Sequence, residues 1–473
     1  MSSTSLRRTY SGRARMDATA DRGRGYPGSC TSSRRDAPGL AAGAREEAIL
    51  REEGSAMTNA PKPRPEPSEI GQNARRMRVR RGLTVEAAAG LAGISKAYLS
   101  MLENGHRAFE RRGLLEDVAR ALGCSVTDLT GQPYALGDRD SAEALATLSP
   151  ISIALYDVSL DDVPDMPTRP VDRLAQWAAQ ANEHTANSRY GAAGRDLGVL
   201  LTELHVQAVM GDSDAQRAAL AALVEACFVA SGVARALGNP DLAIMAAGRA
   251  EDAAGRLGEP GLAAFAAMTS TSAFSRLGSR RRAKKVASSA LTAVDSVIDP
   301  TAEDTSAAQA AGMLHLASAQ MAAKDNRADD TAAHLAAALE LAERTGEQNR
   351  LWFSFGPANV RAWSLSTAVE LGDGVALAEQ IERTPGYDEG LITDDRRAAL
   401  HFDLARAYLQ ADGARDAAAL RHLDEADQIA PLRIRHDPVT REIVHKLELR
   451  AQQRAWQLDS LKNRLGMSRS VAR

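Results

Sequence analysis

The chain has 473 residues, of which 44% are hydrophobic and only 4% aromatic, and its formal net charge is −3. Such an Ala-rich composition favours two or three domains of closely packed helices and argues against a β-sandwich. The three widely spaced cysteines argue against a disulfide framework and a cysteine-based zinc site. We found neither a membrane-spanning apolar run nor a secretory signal, which predicts a cytoplasmic protein.

The charges are distributed unevenly along the chain. Residues 68–134 carry 10 Lys and Arg against 7 Asp and Glu, whereas residues 135–473 carry 36 against 46. A small basic unit on a large acidic body is typical of a nucleic-acid-binding domain joined to a domain with a different role.

Residues 1–67 are predicted to be a disordered leader, because they contain Ser, Arg, Gly, Ala and Pro without an apolar period. The stretch REEGSAM ends at Met57. The codons for this stretch can include a purine-rich ribosome-binding sequence at a suitable distance before the Met57 codon. We therefore hypothesise that translation starts at Met57 and that residues 1–56 are an over-extended gene prediction. The alternative is a basic arm that contacts DNA phosphates.

Five short helices are predicted over residues 68–133. The first three each follow a residue suited to capping, and Gly93 supplies the turn between the second and third. The three caps are Ser68, Thr84 and Ser95. Two further amphipathic segments follow, with apolar residues around 114–122 and 126–129.

The stretches GLT, GIS, LENG and ARALGCSVTDL within this module resemble the helix-turn-helix domain of the Xre and phage-repressor family. The resemblance implies a λ-repressor-like fold that binds double-stranded DNA with its third helix in the major groove. An ordinary Ala-rich helical bundle is the alternative.

The resemblance also implies roles for individual residues. Base readout is expected from Lys96, Ala97, Ser100 and Met101. Contacts with the DNA backbone are expected from Thr84, Ser95, Tyr98, Asn104, Gly105 and Arg107. Arg78 and Glu103 correspond to a structural pair that ties the first helix to the third. Tyr98 has a second interpretation, packing against a neighbouring helix, and Val85 stands where many relatives carry a DNA-binding Gln.

Residues 134–170 are predicted to form a connector with one helix near 141–156. Leu-Gly pairs then recur every 20 residues and end at Gly238, Gly258 and Gly278. This period predicts an α-solenoid of stacked helical hairpins over 171–466, before a disordered tail at 467–473. The hairpins are expected near 171–211, 216–258, 259–299, 301–346, 347–386 and 391–431, with a capping helix near 437–465.

The stretch at 401–431 resembles the tetratricopeptide pattern of small and large residues, although the other repeats match it less well. With the helix-turn-helix, GQPY and FGPANV, the architecture looks like a group of actinobacterial regulators. The concave face of such a solenoid binds peptides or small ligands. A candidate ligand face comprises Asn359, Arg361, Trp352 and Trp363; alternatively, the aromatic residues fill the core and Asn359 caps or bridges a turn.

No catalytic, cofactor or metal motif was found, so the sequence predicts a protein without enzyme activity, cofactor or metal. The leading hypothesis is a dimeric, nucleoid-associated transcriptional regulator whose solenoid dimerises and senses a peptide, small molecule or protein. The alternative is an interaction scaffold whose solenoid docks a partner protein. Leucines of the last helix are one candidate dimer surface, or they cap the solenoid.

Overall fold

The computed structural model describes residues 67–134, 136–451 and 455–467. The predictions for the leader, the start at Met57 and the C-terminal tail therefore lie outside the described residues, apart from 67 and 467. Within the described residues every regular element is helical, and the two β-bridges are isolated. The predicted all-α fold class, a five-helix head followed by helical repeats, is confirmed.

The head, residues 68–133, contains five helices. The hydroxyl of Ser68 accepts a hydrogen bond from the Gly71 amide at 3.1 Å, and Thr84 and Ser95 cap the next two helices in the same way. These caps satisfy amides that have no partner within the helix. The helices are α1 Glu69–Arg80, α2 Val85–Leu91, α3 Lys96–Glu103, α4 Arg112–Leu122 and α5 Val126–Thr130.

The connector contains two helices, α6 Arg139–Ala146 and α7 Leu148–Asp157, so the prediction of one helix was wrong. Pro150 lies in the first turn of α7, where its missing N–H leaves no hydrogen bond unmade. The side chains of Ile151 and Leu155 are completely buried against the repeats. The connector is therefore part of the repeat domain's hydrophobic core.

The described part of the repeat domain extends to residue 467 and consists of helices joined by turns and loops. Its first helices are α8 Val171–Ala186, α9 Tyr190–Gly194, α10 Leu197–Met210, α11 Ser213–Ala236, α12 Pro240–Leu257, α13 Pro260–Leu277 and α14 Arg280–Val294. A 3₁₀ turn follows at Asp295–Val297. The remaining helices are α15 Ser306–Lys324, α16 Ala328–Thr345, α17 Pro357–Leu371, α18 Gly374–Glu382, α19 Asp394–Leu409, α20 Asp416–Ile429, α21 Pro431–Arg435, α22 Pro438–Arg450 and α23 Trp456–Arg464.

Three details of the predicted repeats need correction. The first hairpin contains the additional short helix α9, and the expected capping helix is divided into α22 and α23. The segment 347–356 is a loop rather than helix: Trp352 and Ser354 have φ angles of 62° and 52°. The side chain of Asn349 holds this loop by accepting a hydrogen bond from the Ser354 amide at 2.8 Å.

Small residues set the spacing between the repeat helices, and Gly312 on α15 is the tightest case. A Cβ atom there would lie 2.1 Å from Cζ of the buried Phe355 ring. We expect Gly312→Ala to lower the free energy of unfolding by about 1–3 kcal/mol, because the ring is forced out of a packed core. Urea denaturation measures this loss. Gly248→Ala on α12 is the control, since a Cβ there meets nothing within 4 Å; equal losses would contradict the explanation.

Helix α11 corrects the expectation that no segment is long and apolar enough to cross a bilayer. Its most apolar 18-residue window has a mean hydropathy of 1.6. However, 72% of that window is buried inside the protein. It packs against α10 and α12, as a core helix of a helical-repeat protein does.

The helical array curls on itself, since α8 near its start contacts α19 near its end. The head packs on the C-terminal part of the array. A single hydrophobic cluster combines head residues such as Leu102 and Phe109 with residues of α17 to α23, including Tyr408 and Ile443. Three of the four leucines of the last helices belong to the same core, since Leu447, Leu458 and Leu461 are buried, whereas Leu449 is exposed.

Candidate nucleic-acid interface

Helix α3 is amphipathic in the way a DNA-recognition helix requires. Leu99 and Leu102 are buried in the head's core. Lys96 and Ala97, in the first turn, are exposed. Ser95 caps this turn by accepting a hydrogen bond from the Tyr98 amide at 3.1 Å. The helix therefore presents its N-terminal turn outward, where base edges and phosphates can reach it.

The predicted base-reading residues share this outer face. The ammonium of Lys96 lies 3.4 Å from a carboxylate oxygen of Glu86 on α2, and both side chains are largely exposed. Exposed ion pairs of this kind contribute little to stability in water. Lys96 can therefore leave Glu86 and bind a base or a phosphate of DNA instead. Ser100 and Met101 are half-buried beside them.

The residues predicted to contact the DNA backbone divide into two groups. Thr84, Ser95 and Asn104 are exposed, and Asn104 donates a hydrogen bond to the Ser100 carbonyl at 2.7 Å. Gly105 is buried, and Tyr98 packs partly buried against the head's core, where burial raises its pKa. This packing corresponds to the second interpretation of Tyr98.

Arg107 faces the repeat domain as well as solvent. Its guanidinium lies 2.8 Å from a carboxylate oxygen of Asp412 in the turn before α20. The sequence gives no sign of this partner, which is 305 positions away. A phosphate contact by Arg107 would therefore compete with Asp412.

Arg78 on α1 and Glu103 on α3 form a bidentate pair. The two N–O distances are 2.6 and 2.7 Å, and Arg78 also donates to the Leu83 carbonyl at 2.9 Å. Glu103 is buried, and its hydrogen bond raises the pKa of Arg78. The pair holds the recognition helix against α1 without reaching the outer face.

Exposed basic side chains lie along α1 and in the turn that follows it. Four arginines are exposed there, and a positive surface of this kind attracts the phosphate backbone. They are Arg75, Arg76, Arg80 and Arg81. Arg81 also donates to the Ala121 carbonyl at 3.3 Å, and Arg76 bonds to Asn73.

Helix α4 of the head begins without a side-chain cap of its own. Glu370 of α17 supplies one from the repeat domain: its carboxylate accepts from the amides of Arg112 at 3.1 Å and Gly113 at 3.0 Å. The same carboxylate pairs with the fully buried Arg406 at 2.5 Å. Burial alone would raise the pKa of Glu370, but Arg406, Lys324 and the Gly113 amide together outweigh it, so the pKa lies below its ordinary value.

Further buried charges tie the head to the repeats. Glu116 of α4 binds Arg280 at 2.6 Å and Lys324 at 2.5 Å, and Arg280 also donates to the Gly113 carbonyl at 2.8 Å. The amide of Phe109 donates to Glu442 at 3.0 Å, where burial raises the pKa of that carboxyl to about 7. Sequence analysis missed this junction, because its members are 160 or more positions apart and look like ordinary surface charges.

The inner face of the repeats encloses a cavity of about 220 Å³. Trp352 and Trp363, from the predicted ligand face, line it. Asn359 and Arg361 do not, which corrects the prediction. Asn359 is fully buried; it donates to the Phe353 carbonyl at 3.0 Å and accepts from Arg396 at 2.9 Å. Arg361 donates to a carbonyl in the turn before α19, at 2.7 Å.

Among the described residues no group of three or more His, Cys, Asp or Glu side chains is arranged to hold a metal ion.

Comparison with known proteins identifies the head. A family model described as a helix-turn-helix domain matches residues 69–130. A comparison with curated proteins found no match. Among solved structures, the chain is similar to Bacillus thuringiensis PlcR in complex with the peptide PapR7 and DNA, at 10% identity and a TM-score of 0.32. That match covers 77% of this chain and 95% of PlcR. The head is a helix-turn-helix domain, the domain type of DNA-binding regulators.

Proposed function

We propose that this protein is a sequence-specific transcriptional regulator of the Xre type, without enzyme activity, that acts in the cytoplasm on nucleoid DNA. It binds as a homodimer to two half-sites about one helical turn apart. The tetratricopeptide-like repeats contribute to dimerisation and sense a ligand.

The observation that carries the proposal is the orientation of α3. Leu99 and Leu102 are buried, the capped first turn is exposed, and the Arg78–Glu103 pair fixes the helix against α1. Lys96 donates to guanine O6 or N7, and Ala97 contacts a thymine methyl group. The reading face offers few hydrogen bonds, so DNA shape adds to specificity.

Genomic fragment selection with the purified protein tests this function. Selection at two salt concentrations is expected to recover a pseudo-palindromic sequence. The logarithm of the binding constant is expected to fall with the logarithm of the salt concentration, with a slope of roughly −0.9 for each phosphate neutralised. If no sequence is enriched while the repeats alone retain a protein partner, the interaction-scaffold hypothesis replaces the regulator. A recovered half-site without symmetry would contradict the dimer.

Lys96→Ala is expected to weaken binding to the selected site by about 1–3 kcal/mol and to relax base preference at one position per half-site. Fluorescence anisotropy on the selected fragment and on single-base variants measures both effects. The matched control is Lys285→Ala, which removes an exposed lysine from α14 of the repeats. A uniform loss across all sequences would show that Lys96 contacts phosphate instead of a base.

A further inference from the structure

The cavity on the inner face of the repeats is strongly cationic. Six basic side chains line it, against two carboxylates, Asp395 and Asp403. The basic residues are Arg112, Arg235, Arg276, Lys324, Arg396 and Arg433. A cavity with low-dielectric walls concentrates such a field, so the excess positive charge attracts anions.

Two of these six cations have no ion-pair partner of their own in the described part of the chain. Arg433 pairs with Asp395, Lys324 with Glu116, and both Arg112 and Arg276 pair with Asp437, Arg276 at 3.7 Å. In contrast, within the described part of the chain, Arg235 and Arg396 form no ion pair. Burial lowers the pKa of both, that of Arg396 to about 10, as expected for guanidinium groups without a full counter-charge.

The cavity wall also carries polar atoms without partners. Thr271 is completely buried, and its hydroxyl oxygen has no hydrogen-bond partner among the described residues. The same holds for the indole N–H of Trp363, Oε1 of Gln320 and Nε of Arg112. A buried polar atom left unpaired costs about tenfold or more in the folding equilibrium constant. Four such atoms belong to residues that line this one cavity, and a bound molecule with polar groups can supply their partners.

An aromatic cluster forms another part of the wall. The rings of Phe228, Phe265 and Phe353 have centroids 5.0 to 5.4 Å apart, and Phe228 and Phe353 reach the cavity together with Trp352. The guanidinium of Arg396 lies 5.3 Å from the ring centroid of Trp363. Apolar and cationic surfaces therefore face the same enclosed space.

We propose that this cavity binds a small organic anion, a carboxylate or phosphate group joined to an aromatic or other apolar body. The anion binds Arg235 and Arg396, the body packs on the aromatic cluster, and Thr271 and Trp363 gain their missing hydrogen bonds. The volume of about 220 Å³ suits a single small molecule rather than a folded partner. This site names the ligand class for the proposed sensing function, and it rests on that function for its regulatory role.

Arg112 connects the site to the head. It is the first residue of α4, its side chain lines the cavity and pairs with Asp437, and its amide is capped by Glu370. An anion in the cavity competes with Asp437 for this guanidinium. Ligand binding and docking of the DNA-binding head are thereby linked through one residue.

Calorimetric titration of the full chain with 1-naphthoate, 1-naphthyl phosphate and neutral 1-naphthamide tests the site. At least one anion is expected to bind with one-to-one stoichiometry and about tenfold or more tighter than the amide, because it gains charge-assisted hydrogen bonds. The stronger anion distinguishes a carboxylate from a phosphate ligand. Equal affinity for all three probes, or binding of none, would overturn the proposal.

Arg235→Gln locates the binding. Since Arg235 has no ion-pair partner within the described chain, its loss leaves no carboxylate unpaired and the fold intact. Affinity for the anion is expected to fall about tenfold, whereas Arg217→Gln, an exposed arginine paired with Glu259, leaves it unchanged. Equal effects of the two substitutions would overturn the site. Anion binding without selection of any DNA sequence would contradict the proposed function alone.

Discussion

Glu370→Ala is expected to lower the free energy of unfolding by about 4 kcal/mol and to loosen the head from the repeats. Glu370 and Arg406 are almost completely inaccessible to solvent, and removing one partner of a buried pair costs about 3–5 kcal/mol. Because Asp403 still pairs with Arg406 at 2.6 Å, we expect the loss of the Glu370–Arg406 pair to cost about 3 kcal/mol, the lower end of that range. The lost cap of α4 adds about 1 kcal/mol.

Two measurements separate these contributions. Urea denaturation gives the total loss, and hydrogen exchange at the amides of Arg112 and Gly113 reports the cap directly. Both amides are expected to exchange faster in the variant, because Glu370 is their acceptor. Glu379→Ala is the matched control: it removes a more exposed carboxylate from the next helix and is expected to cost less than about 1 kcal/mol.

Glu370→Leu combined with Arg406→Leu distinguishes charge from packing. Because Asp403 also pairs with Arg406, Asp403→Asn is added so that no member of this cluster keeps an unpaired charge. This triple variant is expected to be more stable than Glu370→Ala. Its α4 amides remain uncapped and still exchange faster. If Glu370→Ala cost less than 1 kcal/mol, or left the exchange of both amides unchanged, the proposed anchoring of the head would be wrong.

The local features of the head were predictable because each depends on neighbouring residues. The hydroxyls of Ser68, Thr84 and Ser95 each cap a helix by accepting a hydrogen bond from the amide three positions further along the chain. Gly93 has a φ of 70°, a conformation that glycine adopts without strain. Apolar residues at helical spacing then identify the buried faces, as with Leu99 and Leu102.

The junction and the cavity could not be predicted in this way. Arg112 pairs with Asp437, 325 positions away, and no periodicity connects the two. Asn359 looked accessible because it follows Gly-Pro and lies among aromatic residues, yet tertiary packing buries it behind the cavity wall. Arg235 lies in the last turn of α11, and nothing in the sequence indicates that it lines the cavity.

Glu103→Ala is expected to cost about 3–5 kcal/mol of unfolding free energy and to abolish selective DNA binding. The substitution leaves the guanidinium of Arg78, which is only 11% exposed, without its carboxylate partner. The Leu83 carbonyl, at 2.9 Å, is the acceptor that remains. Without the bidentate pair, α3 is no longer held against α1, so Lys96 loses its position relative to the groove.

Denaturation and anisotropy on the selected DNA fragment measure the two losses. Glu103→Gln retains an acceptor for Arg78 and is expected to lose less stability than Glu103→Ala. Glu86→Ala is the control, since it removes an exposed carboxylate of α2 that pairs with Lys96 at 3.4 Å. It is expected to change stability by less than about 1 kcal/mol and, by releasing Lys96, to leave DNA binding intact or stronger.

Combining Glu103→Leu with Arg78→Met identifies what the pair contributes. If the double variant regains stability but not base preference, the pair orients the recognition helix. Apolar side chains fill the same space but do not reproduce the geometry of two parallel hydrogen bonds. Recovery of both would mean that the packing of Leu99 and Leu102 alone orients α3. In that case the pair would add stability only, and the recognition surface would be determined by the head's hydrophobic core.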